Sequence, residues 1–138
     1  MGTQQILLIV LSVIIVGIAV AVGITMFNAQ ATNSNRQAIM GDMNNLASSA
    51  LAFYKTPATH GGGGNTWGIL ADLGSWLGYD YTGGVCTTGN GTFTISTAAD
   101  VLTIVGLGTE LGNDGSTNVS GQLLVTGATS GIVASVLN

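Results

Sequence analysis

The sequence predicts an α+β protein: one long N-terminal helix packed on a small four-stranded antiparallel sheet. Three observations predict it. Residues 6–27 are apolar, with no charge and no proline. The hydrophobic pattern then becomes one-sided up to Pro57. From about residue 91 onward, apolar and hydroxyl side chains alternate in short runs separated by turn residues, as strands do.

The apolar stretch "ILLIVLSVIIVGIAVAVGITMF" is long enough to cross a bilayer once. No Lys or Arg precedes it, and the first basic residue is Arg36. It therefore lacks both the positive n-region of a signal peptide and the usual basic flank of an anchor. Gly17, Ala19, Ala21 and Gly23 are small residues spaced to let helices approach closely. Beyond Phe27, the residues Ala31, Ile39, Met43, Leu46, Ala50, Phe53 and Tyr54 recur mostly at helical steps. Asn33, Asn35, Arg36, Asp42, Asn44 and Asn45 lie between them, which makes an amphipathic continuation. Lys55 suits a helix C-terminus and Pro57 ends the helix. One helix over residues 2–55 is roughly 80 Å long, too long for a domain of this size, so its first half must protrude.

"THGGGGNT", residues 59–66, reads as a flexible linker-like loop. A short helix is expected over about 67–77, with Thr66 as its N-cap and Ile69, Leu70, Leu73, Trp76 and Leu77 on one face. Strands are expected in "TTGNGTFTIST", "DVLTIVGL", "SGQLLVTGA" and "GIVASVLN", within about 91–138. The organisation is then an apolar helix, residues 1–28, and a head, residues 29–138, whose own helix spans 29–55.

Composition narrows the function classes. Charged residues are 6% of the 138, against roughly 25% in an ordinary soluble protein. Such a surface suits a protein packed among copies of itself. Two cations and a net charge of −4 do not neutralise a nucleic-acid backbone, so no nucleic-acid partner is expected. The single cysteine, Cys86, permits no disulfide within the chain and reads as a small buried thiol. His60, the only histidine, has no second ligand nearby in sequence. "GNDGST" around Asp114 is oxygen-rich but lacks EF-hand spacing, and reads as a turn. "GGGG" lacks the Gly-Lys-Ser/Thr ending of a phosphate loop. No catalytic arrangement, cofactor or metal site is expected. "NGT" at Asn90 and "NVS" at Asn118 match the N-glycosylation pattern and read as ordinary turn asparagines.

The apolar helix, its amphipathic continuation, the glycine-rich loop and the antiparallel sheet resemble a mature bacterial type IV pilin. That resemblance implies a structural subunit rather than an enzyme: the major subunit of an extracellular filament for adhesion, motility or uptake. It implies a charged leader removed before a methylated Met1, which accounts for the missing basic flank. It implies subunit docking through Thr3, Gln4 and Gln5, and core packing through Ile6, Leu7, Leu8, Ile14, Gly17, Ala21, Gly23 and Phe27. The implied partners are further copies in a helical homopolymer, the pilus assembly machinery and minor pilins, with the inner membrane holding the helix before assembly. The chain carries Gln5 where the family usually has Glu, Val22 where proline is usual, and no C-terminal disulfide loop. An archaeal-type pilin, a type II secretion pseudopilin and a membrane-anchored binding module are the alternatives.

Overall fold

A computed structural model describes residues 2–138. Helix α1 runs unbroken over Gly2–Lys55, and α2 over Leu70–Leu77. Six strands follow: β1 (Asp80–Thr82), β2 (Val85–Thr88), β3 (Gly91–Ala98), β4 (Val101–Leu111), β5 (Asn118–Thr126) and β6 (Gly131–Val136). They form one antiparallel sheet in chain order. The sheet is thus larger than the four strands expected. The additional pair is a hairpin, with Gly83 and Gly84 at positive φ in its two-residue turn.

The head half of α1 buries Ile39, Met43, Leu46, Ala47, Ala50, Phe53 and Tyr54. Against them lie Phe93, Ile95, Leu102, Ile104, Val119, Leu123 and Val125, every second residue of β3, β4 and β5. The helix sits close because β4 and β5 offer glycine where it crosses. A Cβ on Gly106 would come 2.7 Å from Ile39 Cγ2, and one on Gly121 would come 2.8 Å from Met43 Cε. Several of the 22 glycines therefore shape a seat for the helix rather than turns.

The glycine-rich loop is not a linker. It folds back as the C-terminal cap of α1. Gly63 N–H donates to Phe53 O (2.8 Å), Asn65 N–H to Tyr54 O (2.8 Å) and Gly64 N–H to Thr56 O (2.9 Å). Phe53 O and Tyr54 O are among the last carbonyls that a helix leaves unpaired, and Thr56 O follows directly after its end. A side chain at Gly62 or Gly63 would collide with the backbone of Thr56 or Thr66, so the close wrap requires glycine there.

Helix α2 starts later than expected, and Ile69 rather than Thr66 is its N-cap residue. The Thr66 hydroxyl instead donates to Gly63 O (2.7 Å) and holds the capping loop. Leu73 and Leu77 are buried as expected, whereas Ile69 and Trp76 are exposed. Gly74 costs helix propensity, but a Cβ there would lie 2.3 Å from the Tyr81 ring.

Candidate assembly surface

Every described residue in the first half of α1 is exposed. Sixteen large apolar side chains in residues 6–27 are between 50% and 73% exposed. Soluble monomers rarely expose apolar patches beyond a few hundred Å². At about 1.5–3 kcal/mol for full burial of each such side chain, covering this stem is worth roughly 20 kcal/mol or more. The stem is long and apolar enough to cross a membrane, by length and composition.

Thr3, Gln4 and Gln5 lie in the first turns of α1, exposed, and Met1 lies outside the described residues. Gln4 joins Leu7, Leu8 and Leu11 around a shallow hollow on one helix face, the i, i+3, i+4, i+7 spacing of a stripe. Ile6, Ile14 and Phe27 are exposed on the same stem. The helix continues through Gly17 and Gly23 without a break. Neither glycine has another part of the chain within 4 Å of where its Cβ would stand. Gly17 and Ala21 share one side of the helix by their spacing of four, while Ala19 and Gly23 share another. Ser12 and Thr25 donate their hydroxyls to the carbonyls of Leu8 and Ala21, so neither presents a free donor to an apolar surround.

A polar collar holds the root of the stem to the head. Thr32 Oγ1 donates to Leu111 O (3.0 Å). Asn35 donates to Asn90 O (3.0 Å), and its Oδ1 accepts from the Thr109 and Glu110 amides (3.2 and 3.3 Å). Asp42 accepts from the Thr88 hydroxyl (3.0 Å) and the Asn90 amide (2.9 Å). Periodicity alone placed Asn35 and Asp42 on the solvent side. They are instead the polar margin of the helix–sheet contact. Arg36 donates to Asn33 Oδ1 at 3.3 Å, and its Nε and Nη2 are enclosed without a hydrogen-bond partner.

The remaining polar candidates serve local structure. The Asp114 carboxylate accepts from the Ser116 and Thr117 amides (both 3.0 Å) and the Thr117 hydroxyl (2.6 Å). These bonds, led by the Thr117 hydroxyl, hold its carboxyl well below the usual range. Both sequon asparagines turn their amides inward, Asn90 to Asp42 and Asn118 to Gly108 O (2.7 Å). His60 is exposed beside the Thr59 hydroxyl. Among the described residues, no three His, Cys, Asp or Glu side chains gather to hold a metal ion. The aromatic pairs Phe53–Trp76 and Tyr54–Trp67, with ring centroids 6.0 and 4.8 Å apart, tie the end of α1 to the segment after the capping loop.

No protein family, curated protein or solved structure matches the chain. What is established is the architecture: a long N-terminal apolar helix on an antiparallel sheet, compatible with a pilin-like fold.

Proposed function

We propose that this chain is the structural subunit of a type IV pilus-like extracellular filament. Its stems bundle in the filament core and its heads form the outside. One observation carries the reading: an uncovered apolar stem continues, in the same helix, into a well-packed head. A stem joined rigidly to its head transmits a fixed head position to every copy, as a regular filament needs. In this reading the stem rests in the inner membrane before assembly, and neighbouring stems then replace lipid. The assembly machinery and minor pilins are its further partners, and its role is structural rather than enzymatic.

The same stem also serves a membrane-anchored binding module, a pseudopilin or an archaeal-type pilin. Electron cryo-microscopy of material sheared from cells that express the chain separates these readings. Density that follows this sequence, with stems bundled on the axis, upholds the filament. A chain that stays with the membrane while filaments trace to another protein overturns it. The arrangement of heads in the map then tells a bacterial from an archaeal type.

A further inference from the structure

The sheet is wider than the helix that covers it. An α-helix with its side chains is about 10–12 Å across and strands are about 4.8 Å apart, so one helix covers about two strands. In this head α1 lies over β4 and β5. Strand β6 forms the edge beyond them, paired only to β5. Its register sets Ile132 opposite Val125, Ala134 opposite Leu123 and Val136 opposite Gly121. Those β5 residues are buried on the helix side, so Ile132, Ala134 and Val136 face that side too. Yet Ile132 is 41% and Val136 52% exposed.

Natural edge strands are usually protected by a charge, a proline or a bulge. β6 carries neither charge nor proline, and pairs with β5 without a register shift. The uncovered strip runs beside the flank of α1 that carries Met40, whose sulfur sits over Gly121. Helices pack at about 8–10 Å between axes. A second helix laid against that flank at this spacing lies over β6.

We infer that this strip is the seat for the apolar stem of a second copy, which lies alongside α1 and covers Ile132, Ala134 and Val136. The inference rests on the filament reading and adds to it a named contact between one copy's stem and another's sheet edge. The stem, residues 6–27, is the uncovered apolar helix this chain itself supplies, and neither surface carries a charge. Size points the same way. Six residues of strand at about 3.3 Å each, under a helix about 10 Å wide, give a strip of roughly 200 Å². A stable free-standing dimer buries about 800 Å² per partner. The strip is therefore too small to hold two soluble copies together. It acts where stem–stem packing already brings copies together.

The test places a photo-crosslinking benzophenone amino acid at position 136 of the full chain, in its own cells. Position 132 is a second probe on the same face, and position 133 a control on the opposite face. Mixing isotopically heavy and light chains marks adducts between copies. The expected result is an adduct from 136 or 132 to a stem peptide of another copy, lost when the probe moves to 133. No stem adduct from either inner position overturns the inference. So does capture of lipid, of another protein or of a second head in its place, or equal stem capture from 133. The same sample is scored for filaments. Filaments without the stem adduct overturn this contact alone. The adduct without filaments upholds the contact and overturns the filament reading. Absence of both overturns both.

Discussion

The Tyr54 hydroxyl donates to Asp100 Oδ1 at 2.7 Å, and so joins the last turn of the long helix to the turn between β3 and β4. The other carboxylate oxygen accepts from the Ala128 amide (2.9 Å) in the turn between β5 and β6. Asp100 thus holds together three chain segments at the end of the head remote from the stem. The Ala128 amide, then the Tyr54 hydroxyl, hold its carboxyl below the ordinary range, while the bond to Asp100, with burial, pushes the Tyr54 phenol up. A depressed carboxyl contributes stability above its unfolded pKa, and that stability is lost as pH falls through the folded value. A raised phenol contributes stability below its unfolded pKa, and that stability is lost as pH rises through the folded value. Melting temperature, followed by circular dichroism on the full chain in detergent, should be highest between about pH 4 and about pH 10. Tyr54→Phe should lower it within this window and flatten the alkaline limb. An unchanged alkaline limb in that variant would mean the bond does not hold in solution.

Glycine plays opposite parts at two positions. Gly106 lies under α1, where an added Cβ meets Ile39 Cγ2 at 2.7 Å and Met43 Sδ at 3.0 Å. Ile39 is β-branched and stiff, so the contact is relieved only by moving the helix. Gly106→Ala should cost about 1–3 kcal/mol, the range for overpacking a filled core. Gly41 lies in the same helix region, on its open side, with nothing within 4 Å of its Cβ position. Gly41→Ala should stabilise the head by about 1 kcal/mol, because alanine is the better helix former. Denaturant unfolding of the two variants should move the midpoint in opposite directions.

Much of this fold was legible in the sequence because its signals are local. The all-round apolar run of residues 6–27 and the stepped residues from Ile39 to Tyr54 specify one continuous helix, and alternation specifies β3, β4 and β5. What escaped depends on contacts distant in sequence. The β1–β2 hairpin is too short to show alternation, although its Gly83-Gly84 pair was a turn signal. The glycine run became a cap only through the carbonyls of Phe53, Tyr54 and Thr56, which composition cannot reveal. Asn35 and Asp42 read as solvent-facing because a polar residue at a helix margin looks the same whether it meets water or a loop amide. The stem was legible as apolar. The uncovered face of β6 was not, since "GIVASVLN" does not say how far the covering helix reaches.

Cys86 should be inert in the folded chain. It is fully buried on the core face of β2 beside Phe93 of β3, and burial raises its thiol above the ordinary value. A buried, protonated thiol is a poor nucleophile. Iodoacetamide at neutral pH should leave the native chain unmodified and alkylate it fully in denaturant. Rapid labelling without denaturant would place the β2–β3 edge outside the stable core.

In the filament proposed above, Gln5 offers an amide where a charged side chain would have to be paired in an apolar core. An amide gives a weaker hydrogen bond than a carboxylate to an ammonium group. Apolar packing of residues 6–27 should therefore dominate, and Gln5→Ala should leave filament yield nearly unchanged when sheared material is weighed against cell mass. Complete loss of filaments would show that the Gln5 amide makes a contact assembly cannot do without.

Gly17 separates the needs of the single chain from those of the assembly. Among the described residues, nothing lies within 4 Å of where its Cβ would stand, and the helix passes through it unbroken. Gly17→Leu should therefore leave the head's melting temperature unchanged, and leucine favours helix by close to 1 kcal/mol over glycine. In a bundle of stems the result reverses. Small residues at Gly17 and Ala21 let two backbones approach, and a leucine holds them apart. The variant should keep its membrane association and its folded head while filament yield falls sharply. Gly41→Leu, on the open side of the head helix and away from the stem, is the control for leucine itself. Normal filaments from Gly17→Leu would show that stems do not pack through the face that carries Gly17.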